Sequence, residues 1–391
     1  MFAHSAISAI KTQYIAKIGQ QISPAYDEAM YAFDRNFSTY KGWTPIAAQP
    51  KVLQVVSQIV ARTVVGPEIC RNPAWVESVT GYTQNVFLAA TSLKMVPSAL
   101  RPLVAALTPY LYRIYKHRRV IRHILTPALS KRLIWCREHP ESWAARMKSG
   151  EQLYAIDWIV AGTAPEEREI WLLSHRLTGV SFGASHTTSN HVGNCILELA
   201  ADFDRWAPPL REEIRNVLGD DPISITNSDL SKLWKLDSFM KECQRFHPPS
   251  KLSVNRTLLQ SYKLSSGETL PEGAHICFPG VPMSLSNEYF EDAGRFDAFR
   301  FERMRRDPVM QHFSGLQFTS SYAGSLHFGH GKQMCPGRFM GSLISKLLVI
   351  ELLRRYDLKL KDGETGRPPN LNFMEMDAPD PTYEILIRDR G

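Results

Sequence analysis

A cysteine beside the start of a helix is the feature that most restricts what this chain can fold into. Residues 328–339 read Phe-Gly-His-Gly-Lys-Gln-Met-Cys-Pro-Gly-Arg-Phe, so that Cys335 is followed directly by Pro336. Proline favours a first helical turn, and apolar side chains then recur at helical spacing, at Phe339, Leu343, Leu347 and Ile350. The pattern predicts that Cys335 lies at or beside the N-cap. There the unpaired amides and the helix dipole favour the thiolate, the form that binds a metal.

Glycines surround this cysteine. Gly329, Gly331 and Gly337 remove side chains on both sides of the sulfur, so the backbone can lie flat against a bulky group such as a porphyrin face. A buried cysteine that opens an ordinary core helix is the alternative, since cysteine is among the most buried residue types. Motifs upstream of the segment favour the metal ligand.

The segment resembles the haem-binding loop of the cytochrome P-450 superfamily. Phe328, Gly331, Cys335 and Gly337 match its phenylalanine, first glycine, ligand cysteine and second glycine. The resemblance implies a mainly α-helical P-450 fold with a small β-sheet region, N-terminally shortened, and haem b with an axial thiolate from Cys335. The family usually has Arg or His two residues before the cysteine to hold a propionate. Gln333 stands there, so we expect a weaker, uncharged contact.

Two further segments resemble the buried Glu-Arg-Arg network of the family. Glu242 and Arg245 lie three residues apart on a predicted helix and share one face, and two prolines end that helix. Residues 296–301 resemble the segment whose arginine, here Arg300, completes the network. Taken alone, such a pair is usually a solvated one. The resemblance implies that all three residues are structural and carry no chemistry.

A helix-like run extends from about Trp171 to Ala201 and contains Gly-Ala-Ser-His-Thr-Thr-Ser at residues 183–189. Glycine and consecutive hydroxyl residues make a poor helix interior, which predicts a bend or opening. In the family this stretch is the oxygen-side groove, and Thr187 matches the threonine that manages proton supply. His186 replaces the usual acidic residue, and we expect it to assist Thr187. Small residues that let two helices approach are the alternative.

Two short strands around a turn are predicted within residues 253–280. Arg256 matches the family position that pairs with a haem propionate, a task that suits a guanidinium; a surface arginine is the alternative. Leu252 and Val254 correspond to a substrate-contacting strand and are pocket candidates. Lys11 matches another propionate-binding position, with a solvated lysine as the alternative.

Composition is consistent with one globular enzyme. The 391 residues are 44% apolar and 22% charged, and no linker divides them, so we predict a single domain over residues 1–391. Six cysteines without a CxxC pair favour a reducing, intracellular compartment. The net charge of +7 includes a basic run at residues 112–122. Such a run is more often a solvated helix face than a nucleic-acid site, and we predict no nucleic-acid partner.

No N-terminal anchor of the microsomal type is recognisable. Such an anchor needs about 20 apolar residues, whereas the most apolar stretch, Val86 to Tyr112, is interrupted by charges and prolines. The resemblance runs from about His4 to Ile387, so the chain is expected to lack the first quarter of the family. An open sheet edge and lower stability would follow. The family still implies endoplasmic reticulum association and peripheral membrane contact.

The chain most resembles fungal monooxygenases of secondary metabolism. This implies hydroxylation or another oxidation of a small hydrophobic terpenoid, alkaloid or polyketide, with O2 and electrons from NADPH. A separate NADPH-cytochrome P-450 reductase would deliver them, steered by opposite charges. Two alternatives stay open: a haem-binding but degenerate relative, and a haem-thiolate isomerase or dehydratase that needs no reductase.

Overall fold

A computed structural model describes residues 14–220, 222, 224–310 and 312–390. Helices carry most of the fold. The α-helices in chain order are α1 (Ile22–Asn36), α2 (Ala48–Val65), α3 (Pro67–Cys70), α4 (Pro73–Lys94), α5 (Arg101–Leu107), α6 (Pro109–Glu138), α7 (Pro140–Lys148), α8 (Ala155–Ala161), α9 (Ile170–Ala201), α10 (Phe203–Leu218), α11 (Asn227–Lys232), α12 (Trp234–Phe246), α13 (Gly280–Ser284), α14 (Arg300–Arg306) and α15 (Arg338–Arg355). The mainly helical class expected from the sequence is confirmed.

Short strands form small sheets at the edge of the helical body. They are β1 (Thr44–Ala47), β2 (Ser253–Thr257), β3 (Tyr262–Lys263), β4 (Thr269–Leu270), β5 (His275–Phe278), β6 (Tyr356–Lys359), β7 (Leu371–Phe373), β8 (Met376–Ala378) and β9 (Glu384–Asp389). The strand order β1-β9-β6 gives one antiparallel sheet, which joins the two ends of the described chain.

The region 253–280 differs from the prediction of two strands around one turn. It contains two antiparallel ladders, β2 with β5 and β3 with β4, and each ladder has two strands in the described part of the chain. The register of β2 shifts between Ser253 and Arg256, and Val254 between them has φ +54°. A bulge of this kind adds local twist to β2. The break between the two ladders lies farther along the hairpin, between Thr257 and Tyr262.

The long helix α9 lies at the centre of the molecule. It packs against α2, α4, α6, α12 and α15, and its apolar side chains Leu173, Leu177, Val192 and Leu199 are fully buried. Truncating any one of these leucines to alanine is expected to cost about 2–5 kcal/mol of stability. Helix α9 therefore fixes the positions of the helices that pack against it.

The predicted opening in α9 is not observed, because the helix continues without interruption from Ile170 to Ala201. Three hydroxyl side chains of the predicted opening, those of Ser185, Thr187 and Ser189, donate hydrogen bonds to carbonyls of the same helix. Ser185 Oγ lies 3.0 Å from the Ser181 carbonyl oxygen, and Ser189 Oγ lies 3.0 Å from that of His186. These hydroxyls are satisfied without breaking the helix, so the competition expected from the sequence does not open it.

In the part of the chain that the structure describes, no helix has both the length and the apolar character needed to cross a bilayer. Exposed apolar side chains are instead concentrated between the end of α4 and the start of α6. They are Met95, Leu100, Leu103, Leu107, Leu111, Tyr112 and Tyr115. We call this group the apolar ridge.

Candidate functional site

The cysteine loop is held by its own backbone. The Cys335 amide donates to the Phe328 carbonyl at 2.7 Å, and the Gly329 amide donates to the Leu326 carbonyl at 2.8 Å. Gly329 and Gly331 have φ values of +74° and +67°, which only glycine adopts easily. The turn between them and the cysteine therefore depends on both glycines.

Helix α15 begins later than the sequence predicted. Arg338 is its first residue and Gly337 is the N-cap, because the first helical hydrogen bond runs from the Gly341 amide to the Gly337 carbonyl at 2.8 Å. Cys335 thus lies two residues before the N-cap. The Arg338 side chain reaches back and donates to the Cys335 carbonyl at 2.9 Å, which places a cation beside the cysteine.

A cavity of about 190 Å³ lies between this loop and α9. Cys335 and Phe328 line it from the loop, and Gly183 and Thr187 line it from α9. The other lining residues are Thr188, Asn190, His191, Asn194, Gln244, His247, Pro249, Phe318, His327, Gly341, Ser345 and Asp377. The structure therefore brings the predicted thiol and the predicted hydroxyl to one cavity.

One part of the α9 side of the cavity carries only small side chains. Gly183 and Thr187 are exposed there, whereas Phe182, Ala184 and His186 are half-buried. A Cβ atom at Gly183 would meet nothing within 4 Å, which means that the space beside the helix is open. A thiol-bearing loop opposite the open space beside Gly183 suits a large planar metal-bound group, so the residues present fit a haem.

Thr187 and His186 point in different directions. The Thr187 hydroxyl donates to the Gly183 carbonyl at 2.7 Å, beside the cavity. His186 is not among the described residues that line the cavity; its ring shares a hydrogen bond with the backbone of Thr80 in α4. Burial lowers the pKa of His186, which favours a neutral ring. The structure therefore does not bring His186 to Thr187's side of the helix.

The three residues of the predicted ion-pair network meet in the core. Arg245 contacts both carboxylate oxygens of Glu242, at 2.8 and 2.7 Å, and Arg300 Nε lies 3.2 Å from Glu242 Oε1. Glu242 is 0% exposed and Arg245 is 1% exposed. The Asp297 amide also donates to Glu242, at 3.0 Å. The network thus joins α12 to α14 and the segment before it.

The remaining cofactor and pocket candidates that the structure describes are not among the residues that line the cavity. Gln333 is exposed on a 3-10 turn, Gly331–Gln333. Arg256 donates to the carbonyl of its neighbour Asn255 at 2.8 Å. Leu252 and Val254 are not among the described lining residues, and Lys11 lies outside the described residues. A propionate contact by any of the three polar side chains remains a prediction.

A second polar cluster beside the cavity was not predicted. His247 Nε2 lies 2.6 Å from Glu198 Oε1, and the Arg367 guanidinium lies 3.1 Å from the same carboxylate. Arg367 also donates to Asn194 and Asn370, at 2.6 Å each. The cluster ties α9 and the end of α12 to the segment before β7. In the sequence, the only local indication of this cluster is that His247 lies two residues after Arg245.

Two buried bases near the loop were also missed. Burial lowers the pKa of Lys241 to about 7, although its ammonium donates to the Gln317 and Ser320 carbonyls at 2.8 and 3.2 Å. Burial, Lys241 and Arg245 lower the pKa of His327 to about 3, so its ring is neutral. Both ring nitrogens of His327 are buried, and neither has a hydrogen-bond partner within residues 14–220, 222, 224–310 and 312–390. Its position directly before Phe328 could have drawn attention to it.

Known proteins similar to this chain belong to the family that the cysteine loop resembles. The family model for cytochrome P-450 matches residues 102–386. The chain is 32% identical to the cytochrome P-450 monooxygenase olcJ of Penicillium canescens, over 97% of this chain and 70% of that protein. It is 31% identical to the cytochrome P-450 monooxygenase BOA4 of Botryotinia fuckeliana, over 98% and 75%. The structure of a retinoic acid-bound cyanobacterial CYP120A1 aligns with a TM-score of 0.70 at 16% identity, over 99% of this chain and 78% of that one.

Proposed function

This chain belongs to the cytochrome P-450 family of haem-thiolate monooxygenases, and on that premise we propose that Cys335 is its iron ligand and the adjoining cavity its site of oxidation. The observation that carries the proposal is that Cys335 and Thr187, distant in sequence, line the same cavity. Cys335 would hold a haem as its thiolate ligand, and the haem would supply the activation of dioxygen, which thiolate ligation favours.

Thr187 is proposed to deliver protons into this cavity. A hydroxyl has one hydrogen to donate and two lone pairs that accept. While the hydroxyl donates to the Gly183 carbonyl, its lone pairs can accept a hydrogen bond from an ordered water. After rotation, the hydroxyl transfers its proton into the cavity and takes a replacement proton from that water. His186 is neutral and lies against α4, so we propose that any part it takes is indirect, through the packing of α9.

Thr187→Ala should leave haem bound but uncouple turnover. Without the hydroxyl, proton delivery to dioxygen is impaired. We therefore expect the amount of product formed per NADPH consumed to fall at least about tenfold. Released hydrogen peroxide should rise in compensation. Ser185→Ala is the control, because Ser185 makes the same kind of bond to its own helix but does not line the cavity. Coupled turnover in Thr187→Ala, equal to that of the control, would count against the role of Thr187.

The substrate is proposed to be a small hydrophobic secondary metabolite, a terpenoid, alkaloid or polyketide, and the electrons to come from NADPH through a cytochrome P-450 reductase. The fungal relatives named above are cytochrome P-450 monooxygenases, which supports an oxidation; the substrate class and the reductase rest on the resemblance of the sequence to the family. The purified holoenzyme should be incubated with a reductase, NADPH and extract from a producing fungus. A product heavier by one oxygen, labelled when isotopic dioxygen is used, is the expected result. An unlabelled product formed without NADPH would indicate an isomerase or dehydratase instead.

We further propose that the apolar ridge rests on the endoplasmic reticulum membrane. Leu107 is 76% exposed and Tyr112 is 72% exposed. Contact between a group of large apolar side chains and water is unfavourable, so such a group usually marks an interaction surface. The side chains of the ridge lie within residues 95–115, and we propose that they enter a bilayer surface together. Flotation of the holoenzyme with neutral phosphatidylcholine vesicles measures this contact.

A further inference from the structure

A cleft between α6 and α9 carries an arginine cluster outside the proposed active site. Its volume is about 140 Å³. The basic run at residues 112–122 supplies Arg118, Arg119 and Arg122, all three exposed. The other lining residues are Tyr115, Trp171, Ser174, His175 and Thr178. The described lining therefore contains three guanidinium groups, a histidine and three hydroxyls, but no carboxylate.

The cleft is electrically positive. Burial lowers the pKa of His175, and the charge of Arg118 lowers it further, because a cation disfavours a second positive charge nearby. Arginine presents a planar fork of donors that matches the oxygens of phosphate. Arg118 and Arg122 are four residues apart, so their side chains emerge from the same face of α6.

A buried hydroxyl in this cleft lacks a partner among the described residues. Ser174 is 4% exposed, and no residue that the structure describes forms a hydrogen bond with its Oγ atom. The neighbouring Thr178 hydroxyl is already used, since it donates to the Ser174 carbonyl at 2.7 Å. Buried hydroxyls are nearly always hydrogen-bonded, so an unsatisfied one that lines a cationic cleft indicates a ligand that accepts hydrogen bonds.

We propose that this cleft binds a phosphate group through Arg118, Arg119, Arg122 and the Ser174 hydroxyl. A phosphate offers three or more acceptor oxygens and enough negative charge for several guanidinium groups, which a single carboxylate does not. The group comes either from a soluble phosphate ester or from the headgroup of an anionic lipid. Tyr115 belongs both to the cleft and to the apolar ridge, so a lipid with its headgroup here could leave its chains beside the ridge.

The soluble source is tested with glycerol 3-phosphate, titrated calorimetrically into the holoenzyme. The cleft variant Arg118→Gln/Arg122→Gln should bind it at least about 30-fold more weakly, a loss of two charge-assisted contacts. The control Arg113→Gln/Lys131→Gln removes the same charge from exposed positions of α6 that do not line the cleft. It should weaken binding by less than about threefold. Ser174→Ala should weaken binding about fivefold, as expected for one neutral donor.

The lipid source is tested by flotation with vesicles of phosphatidylcholine alone and of phosphatidylcholine with phosphatidic acid. Extra binding to the acidic vesicles that disappears in the cleft variant, but not in the control, supports the site and identifies a lipid headgroup as the source. Glycerol 3-phosphate binding with the same pattern, but no extra vesicle binding, supports the site with a soluble ligand. Equal losses in the cleft variant and the control, or no binding of either probe, would overturn the proposal.

Discussion

Cys335→Ala should abolish the red-shifted Soret band of the reduced carbon monoxide complex and all oxygenase turnover. That band reports thiolate ligation, and alanine offers no donor atom to the iron. The effect should be far larger than that of any other single change in the loop, because the remaining lining residues contribute packing and hydrogen bonds but no thiol beside this cavity. Absorbance spectra of the reduced protein with and without carbon monoxide measure it directly.

Cys277→Ala is the matched control for this prediction. Cys277 is exposed in β5, so its removal takes away a thiol without disturbing the cavity. The control should keep both the band and the activity. If Cys335→Ala retained the shifted band, the iron would be held by another residue and the ligand assignment would be wrong. If both variants lost it, the loss would reflect damage to the protein rather than to the ligand.

Glu242→Gln should destabilise the fold by about 3–5 kcal/mol, the usual cost of leaving a buried charge without its partner. Arg245 and Arg300 would both remain in the core without the carboxylate that they contact, since Glu242 pairs with both. The backbone carbonyls of Ser284 and Ala293, each 2.7 Å from Arg245, cannot replace that charge. We expect a lower denaturation midpoint and loss of bound haem, because the network supports the region that precedes the cysteine loop.

Glu212→Gln makes the same chemical change at an exposed pair. Glu212 is 60% exposed and lies 3.9 Å from Lys235, so its loss should cost less than about 1 kcal/mol. Urea denaturation of both variants, followed by circular dichroism, compares the two costs. Equal midpoints for Glu242→Gln and Glu212→Gln would show that the buried network does not stabilise the protein as proposed.

Short spacing in the sequence was enough to predict which side chains share a helix face. Glu242 and Arg245 had to share a helix face, and their pairing in the structure follows from that spacing. The cysteine loop was identifiable because its glycines, proline and cysteine each have a local conformational task. The start of α15 was placed too early, since a proline favours a first turn but does not fix where the first hydrogen bond forms.

Contacts between residues that are far apart in the chain could not be predicted from the sequence. His247, Glu198 and Arg367 come from three separate segments, and none carries a local pattern that predicts their meeting. His327 and Lys241 have strongly lowered pKa values only because folding removes them from water. Burial of this kind is a property of the packed molecule and not of the residue type.

The sequence by itself determined the chemistry that the chain offers: one cysteine in a glycine-rich loop, a hydroxyl-rich helix and a charged network of fixed spacing. The tertiary structure decided which of these groups face one another. Thr187 and His186 are neighbours in the chain, yet successive residues of a helix point about 100° apart, so only Thr187 lines the cavity. Helix packing also decided the second cleft. Helix α9 packs against α6, so Ser174 of α9 and the arginines of α6 line one cleft.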